Sequence, residues 1–386
     1  MKYLNLETFT DFVCTGSACE FTCCGGGWNI YIDDKTDEYY RSVTGPMGER
    51  LKKCIRRQDG VNSFILDENG DCPFLNDRGL CDIYIGLGEE HLSDTCTSFP
   101  RYRFLSGDIC FAGVSMACPE VAKFFLTHEL PLQIDFSEDG QRFSNETGVD
   151  WNAFNHSVRA FTCAVEIAQN RDLTVKERIA LITVFIYRFQ SFSDERRDPS
   201  ALIDLFSDMS QYILLLPDTG IYNRTFDSKI GFCSEILSYF SLIEQFEDRL
   251  PEMTELLEYF RDPANAVADP EKWTGAFNWI DDSSNSIWQE NVLVYVLFRY
   301  FMQGFDDRDY YDRLMIGLDL VYNANNCSLA MYHIKNGHVP SDDYRRLLIT
   351  HISRIVEHSS DFRNEMLTHL REDGMCELAF ILGLAS

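Results

Sequence analysis

The chain has 386 residues, 45% hydrophobic and 25% charged, which is the composition of a folded protein with room for two or three domains and excludes a largely disordered chain. Its 61 acidic against 34 basic side chains give a formal charge of −27. That charge repels phosphate, so no nucleic acid and no anionic membrane surface is expected as a partner; a basic protein partner is electrostatically easier, although an acidic surface also serves plain solubility. No apolar stretch opens the sequence as an export signal would, and the most apolar runs, 179–187 and 292–298, fall short of the ~20 residues that span a bilayer. A cytoplasmic protein is expected.

In chain order, residues 1–130 are rich in Gly, Cys and turn signals. Residues 28–33 alternate like a short strand, and 33–43 read as a helix opened by an Asp/Thr cap. Asn69-Gly70 marks a turn, 109–114 a strand, and 119–126 a helix with Pro119 in its first turn. The acidic, Gly-containing stretch 130–148 reads as a boundary. Beyond it the period becomes helical: 151–169, then 178–189 behind a capping box at Thr174 and Glu177, then 199–216, 226–246, 251–261, 286–301, 310–323, 341–358 and 362–383. Residues 291–301 are apolar nearly all round, which places them at the centre of a bundle. The fold class expected is therefore mainly α: a cysteine-rich module with short strands and loops over 1–130, followed by a multi-helix domain over 148–386.

The 14 cysteines are unevenly spread, ten of them within the first 118 residues. Cys14, Cys19, Cys23 and Cys24 fall within eleven residues ahead of Gly25-Gly26-Gly27, where small residues let a backbone wrap closely around an ion and aim N–H groups at sulfur. Cys72 and Cys81 bracket a turn, and Cys96 and Cys118 each precede a proline within four residues. In a reducing compartment such a group reads as soft-metal ligation, because thiolates select zinc or iron–sulfur over hard cations. Adjacent Cys23 and Cys24 are awkward as two ligands of one tetrahedral zinc, whereas a larger four-iron cubane accepts more scattered thiols; iron–sulfur therefore stands ahead of zinc. The Cys-x₃-Cys-x₂-Cys signature fails, since Gly26 occupies its third place. Cys54 and Cys110 read as buried small hydrophobes.

These residues carry a resemblance. Phe12-x-Cys14, Cys19-x₃-Cys23-Cys24, Trp28-x-Ile30-x-Ile32-Asp33, Cys72-Pro73-Phe74-Leu75, Leu80-Cys81-x-Ile83, Leu87-Gly88-Glu89, Cys96-x₃-Pro100-Arg101 and Cys118-Pro119-Glu120 are similar to the flagellin lysine N-methyltransferase family. Glu290-Asn291-x-Leu293 with Tyr295, and Arg354-x-x-Glu357-His358, extend the likeness into the second half. The cysteine segments also resemble a shorter cysteine-rich cluster-binding family, which implies a metal module joined to a family-specific helical domain. The resemblance implies methyl transfer from S-adenosylmethionine to lysine ε-amines of flagellin or another lysine-bearing protein, with a [4Fe-4S] cluster involved. It nominates Cys14, Cys19, Cys23, Cys24, Cys72, Cys81, Cys96 and Cys118 as ligands without choosing a quartet.

No Gly-rich nucleotide fingerprint follows a strand, so the usual methyltransferase cofactor site is absent from the sequence. A lysine must lose its proton before it attacks a methyl group. Glu20, Tyr84, Glu89, His91 and Tyr102 lie near thiols as candidate helpers, each more simply explained as an ordinary surface or core residue; His351 and His358 sit seven apart on one helix, where a capping or core role is the simpler reading. The catalytic residue stays unassigned. Arg101, in a thiol-flanked turn, is the candidate for holding a cofactor carboxylate or a cluster sulfide, against a structural ion pair. The competing reading is a non-catalytic zinc or iron–sulfur module with a helical interaction platform. A thiol redox protein is weaker, since no Cys-x-x-Cys follows a βαβ pattern.

Overall fold

The structure, a computed structural model, describes residues 2–19, 22–25, 29–58, 60–138, 149–211, 214, 230–236, 251–260, 262, 265 and 270–384. It is mostly helical, and its named strands all lie before residue 139. Seven strands are named here in chain order: β1 (Lys2–Leu6), β2 (Tyr31–Ile32), β3 (Ile55–Gln58), β4 (Val61–Phe64), β5 (Arg101–Ser106), β6 (Ile109–Val114) and β7 (Ile134–Glu138).

Two sheets divide the strands. The larger has the order β5-β6-β1-β7, with β1 parallel to β6 and antiparallel to β7. β5 and β6 form a hairpin whose register brings Ser106 opposite Ile109, leaving Gly107-Asp108 as the turn. Gly107 takes φ +58°, and a Cβ there would lie 2.5 Å from the Phe154 ring, so the position requires glycine for two reasons. β6 is buried at every residue. Leu6, Phe111 and Val114 from this sheet share one core with Phe125, Phe161, Tyr295 and Phe298 from the helices. The smaller sheet, β2-β4-β3, covers a separate core of Ile30, Ile32, Tyr40, Leu51, Phe64, Cys72, Phe74 and Ile83. The chain thus enters the large core with β1, leaves it for the small cysteine-bearing one, and returns with β5.

The helix Ser286–Tyr300 is buried on nearly every side and packs on Pro119–Thr127, Trp151–Ala168 and Tyr310–Gly317, as its apolar sequence requires. The expected capping box is present: Thr174 Oγ1 accepts from Glu177 N–H and the Glu177 carboxylate accepts from Thr174 N–H. Asp33 caps its helix by accepting from Thr36 N–H at 2.9 Å.

Several boundaries differ from the sequence reading. Of the strand expected over 28–33, Tyr31–Ile32 is the extended part among the described residues, since Asp33 turns into the helix cap; residue 28 lies outside the described residues. The helix expected over 310–323 does not stop: Tyr310–Gly317 runs through a π-helical stretch, Leu318–Asn323, into Ala324–Asn336. The helix expected over 362–383 is two, Ser360–Glu372 and Leu378–Leu384, divided by a turn in which Gly374 takes φ +69°. The helix expected over 199–216 is regular over Ser200–Ser207 and tightens to a 3₁₀ turn at Met209–Gln211. Of the helix expected over 226–246, residues 230–236 are described and helical; the rest, and residues 139–148 of the expected boundary, lie outside the described residues. No helix among the described residues is long and apolar enough to cross a membrane.

Candidate active site

The fold gathers thiols that are far apart in sequence. Cys72 N–H donates to the Cys24 carbonyl at 2.7 Å, joining the first cysteine segment to the second. Arg50 joins the second to itself: its Nη1 donates to Asp82 Oδ2 at 2.6 Å, its Nη2 donates to the Pro73 carbonyl, and its guanidinium covers the Phe74 ring. That clamp sets Cys72 beside Cys81, and Asn76 reinforces it by donating to Asp82 Oδ1 at 2.8 Å. Ser93 caps the short helix Asp94–Ser98 through Cys96 N–H. Cys118 is the N-cap residue of Pro119–Thr127.

The electrostatics report the convergence. Burial pushes the Cys72 thiol up to about 12, and Cys96, Cys81 and Cys23 add to the rise. Burial likewise pushes Cys96 up to about 11, with Cys81 and Cys23 contributing. Cys118 rises to about 11 by burial, partly offset by the Val121 and Glu120 N–H groups and raised by Cys19 and Cys23. Cys23 is itself raised, first by its hydrogen bond to Cys24 and then by burial, while the Arg354 charge pulls the other way. Tyr40, buried among them, feels Cys96, Cys81 and Cys72 in the same sense. Cys19, Cys23, Cys24, Cys72, Cys81, Cys96 and Cys118 thus form one neighbourhood. Cys14 is exposed on the loop leading into it, its sulfur accepting from Gly16 N–H at 3.3 Å. Among the described residues, no group of three or more His, Cys, Asp or Glu side chains closes tightly enough to hold a metal ion.

A buried polar network adjoins the thiols. The helices Ser286–Tyr300 and Asp342–His358 both pack on Pro119–Thr127, whose first turn begins at Cys118. Tyr295 Oη donates to Glu357 Oε1 at 2.5 Å and accepts from Met116 N–H at 3.2 Å. Arg299 Nη2 lies 3.5 Å from Glu357 Oε2, and its guanidinium sits 3.6 Å from the Tyr102 ring centroid. A Cβ at Gly113 would come within 2.5 Å of Tyr102 Oη, so glycine there makes room for that hydroxyl. The Tyr102 and Tyr300 hydroxyls and Arg299 Nε are buried without a well-formed hydrogen bond among the described residues. Burial raises all three tyrosines above the ordinary phenol range, so they stay protonated as hydroxyls. Arg354 ties this network to the thiols: Nε donates to Ala117 O at 3.0 Å, Nη1 to Gly25 O at 3.1 Å and Nη2 to Thr22 O at 3.4 Å. His358, exposed at the helix end, stands beside Phe99 with ring centroids 6.0 Å apart.

Arg101 donates through Nε to Phe9 O at 3.0 Å and through Nη2 to Phe12 O at 2.7 Å, lying over the Phe12 ring. It fastens the approach to Cys14 onto β5. Of the candidate helpers, Tyr102 enters the buried network, Tyr84 and Glu89 are exposed, and His91 stacks on Tyr39 at 3.9 Å; Glu20, Gly26 and Gly27 lie outside the described residues. His351 is buried within its helix. Cys110 is buried in β6, and Cys54 is half-buried against the small core. Sequence reasoning gave no role to Arg299, Tyr300 or Arg354; for Arg354 the signal was its place in Arg354-x-x-Glu357-His358.

Residues 162–384 match the family model of the FliB lysine N-methylase C-terminal domain. Tyr295, Arg299, Tyr300, Arg354 and Glu357 fall inside that range, while Tyr102 and the thiol neighbourhood precede it. The flagellar biosynthetic protein FliU of Salmonella muenchen is 33% identical over 130 residues, 30% of this chain and 72% of that protein. The lysine-N-methylases of Salmonella choleraesuis (strain SC-B67) and Salmonella typhimurium (strain LT2) are each 34% identical over 125 residues, 30% of this chain and 30% of their own length. No solved structure matches. With more than half of its length matched by the domain model, and a relative covered over most of its own length, the chain belongs to the FliB lysine N-methylase family.

Proposed function

We propose that this chain methylates lysine ε-amines on a flagellar protein, flagellin in the first place, using S-adenosylmethionine as methyl donor and a [4Fe-4S] cluster held by the N-terminal thiols. The observation that supports the reading is the joining of a thiol neighbourhood, through Arg354, to the buried Tyr295–Glu357–Arg299 network of the methylase domain.

The donor set fits a cluster. It consists of soft thiol donors that influence one another electrostatically, with Cys24, Cys72, Cys81 and Cys96 seated against the core of Phe64, Phe74 and Ile83. Cys23 or Cys24 with Cys72, Cys81 and Cys96 is the favoured quartet, because these four segments meet in the small core. When bound, such a cluster supplies a redox-active, soft-metal centre. The chain's own residues supply the handling of the amine. The positive charges of Arg299 and Arg354 disfavour an ammonium nearby, which helps a lysine give up its proton. Glu357, hydrogen-bonded by Tyr295 and facing Arg299, is the proton acceptor of this proposal. The chain's net negative charge favours encounter with a lysine-bearing surface.

The deciding experiment measures iron and acid-labile sulfide in protein purified without oxygen. It then follows transfer of labelled methyl from S-adenosylmethionine to flagellin by wild type and by Cys72→Ser and Glu357→Gln variants. Four irons and transfer that both variants lose support the reading. Iron without any transfer favours the non-catalytic binding module, and zinc without sulfide overturns the cluster.

A further inference from the structure

A second sulfur site lies within the helical domain, apart from the N-terminal thiols. Cys233, in the helical residues 230–236, brings its Sγ to 2.7 Å from Cys327 Sγ, and the two are 94 residues apart in sequence. Both are buried in the main core. Chance packing does not require two thiols from distant segments to touch, since apolar side chains would fill the same space without a polar S–H. A cavity of about 100 Å³ reaches both sulfurs and is lined also by Phe232, Ile280, Tyr322 and Asn326. Asp319 adds a third feature: it lies in the π-helical stretch preceding Cys327's helix, is fully buried, and has no hydrogen bond at Oδ2. π-helical insertions cost regular hydrogen bonding and gather at functional sites more often than elsewhere.

We propose that Cys233 and Cys327 are an oxidisable dithiol that hydrogen peroxide converts to an intramolecular disulfide, stapling residues 230–236 to the helix Ala324–Asn336. In the first step one sulfur attacks a peroxide oxygen; the O–O bond breaks, a sulfenic acid forms, and the departing hydroxide takes the thiol proton as water. In the second step the other sulfur attacks the sulfenic sulfur; the S–S bond forms, the S–O bond breaks, and the oxygen leaves as water with the second thiol proton. Two thiols lose two electrons in total, and one peroxide is reduced to two waters. The cavity has room for a molecule the size of hydrogen peroxide. Burial holds the Cys327 proton in place, so the reaction is slow beside that of an exposed thiol.

The test treats full-length wild-type protein, purified without oxygen, with hydrogen peroxide in native buffer, followed by alkylation, proteolysis and mass spectrometry. The expected result is a Cys233–Cys327 linked peptide pair that dithiothreitol releases, appearing after exposed Cys14 has reacted. Cys327→Ser should abolish the pair and leave Cys233 to oxidise alone. Recovery of both residues as alkylated thiols after Cys14 is fully oxidised overturns the proposal, as does linkage of Cys233 to any other cysteine. None of these outcomes depends on methyl transfer, so the dithiol and the methylase reading stand or fall separately.

Discussion

Arg354 donates to the Gly25 carbonyl across 329 residues of sequence, at 3.1 Å. One guanidinium thereby holds backbone on both sides of the thiol neighbourhood, Thr22 and Gly25 flanking Cys23-Cys24, and Ala117 next to Cys118. A planar fork suits several carbonyls at once, which an ammonium does not. Arg354→Lys keeps the charge but cannot serve all three oxygens, and Arg354→Gln abandons the charge as well. Each is expected to lower stability by about 3 kcal/mol, with buried carbonyls left unmatched. Each should also lower retained iron per chain after anaerobic purification. The readouts are the denaturant midpoint and an iron assay, with Arg101→Gln as comparison. Full iron and an unchanged midpoint in both Arg354 variants would remove the clamp from the account.

Tyr295 and Glu357 separate positioning from proton transfer. Glu357→Gln keeps an oxygen for Tyr295 but loses the carboxylate that faces Arg299. Methyl transfer to lysine is expected to fall by about 100-fold or more, the usual worth of a positioned general base, with iron content unchanged. Tyr295→Phe leaves Met116 N–H without its acceptor and Glu357 Oε1 without its donor. It should cost about 1–3 kcal/mol in the melt and a smaller share of the rate. Equal losses of rate in the two variants, with equal losses of stability, would mean the pair is structural.

Glu290 has a different fate, although it belongs to the same resembling segment of sequence. Its carboxylate accepts from Arg171 Nε and Nη2 and from Arg178 Nη1, the last at 2.9 Å, with Arg178 and Glu290 almost wholly buried. Asn291 beside it donates to the Phe125 and His128 carbonyls at 2.9 and 2.8 Å. These contacts fasten the central helix to its neighbours and reach no thiol. Glu290→Gln strands a buried guanidinium, so a loss of about 3–5 kcal/mol is expected, measured by chemical unfolding. In whatever fraction remains folded, methyl transfer per iron should match wild type.

What the sequence could reveal follows from what each interaction leaves behind in it. Cysteine spacing is visible directly, and helical period and the Thr174/Glu177 box announce the long helices, because those signals are local. The β1–β6 pairing joins Lys2 to Ile109, and neither strand alternates in a way that names its partner. The Arg354 clamp ends on backbone carbonyls, which every residue possesses, so no partner side chain advertises it. Tyr102 drew notice through its nearness to thiols, yet its position depends on Arg299, far off in sequence, and on the absence of a side chain at Gly113, its cross-strand partner in the β5–β6 hairpin. The π-helical insertion at Leu318–Asn323 is equally silent, since its residues keep an ordinary helical pattern.

Asp319 yields a prediction whose sign can be worked out. Burial pushes its carboxyl up to about 7, although Asn323 Nδ2 donates to Oδ1 at 2.9 Å and pulls it down. Once ionised, Asp319 in turn pushes up the Cys327 and Cys376 thiols and the Tyr311 phenol, which burial already holds in their neutral forms. In the unfolded chain the same group titrates near 3.9. Between about pH 4 and pH 7 the folded protein therefore holds a proton that the unfolded chain has released, and stability falls as pH rises through that window. Above about pH 7 the group is ionised in both states and the loss is complete. At about 1.4 kcal/mol per pH unit the effect amounts to about 4 kcal/mol. Asp319→Asn mimics the protonated carboxyl and keeps an oxygen for Asn323, so it should match wild type near pH 4 and exceed it near pH 8. The check is the difference between the two denaturant midpoints as a function of pH, which cancels every other titrating group. A difference that stays flat from pH 4 to pH 8 would mean that Asp319 is already ionised, and solvated, in the folded protein.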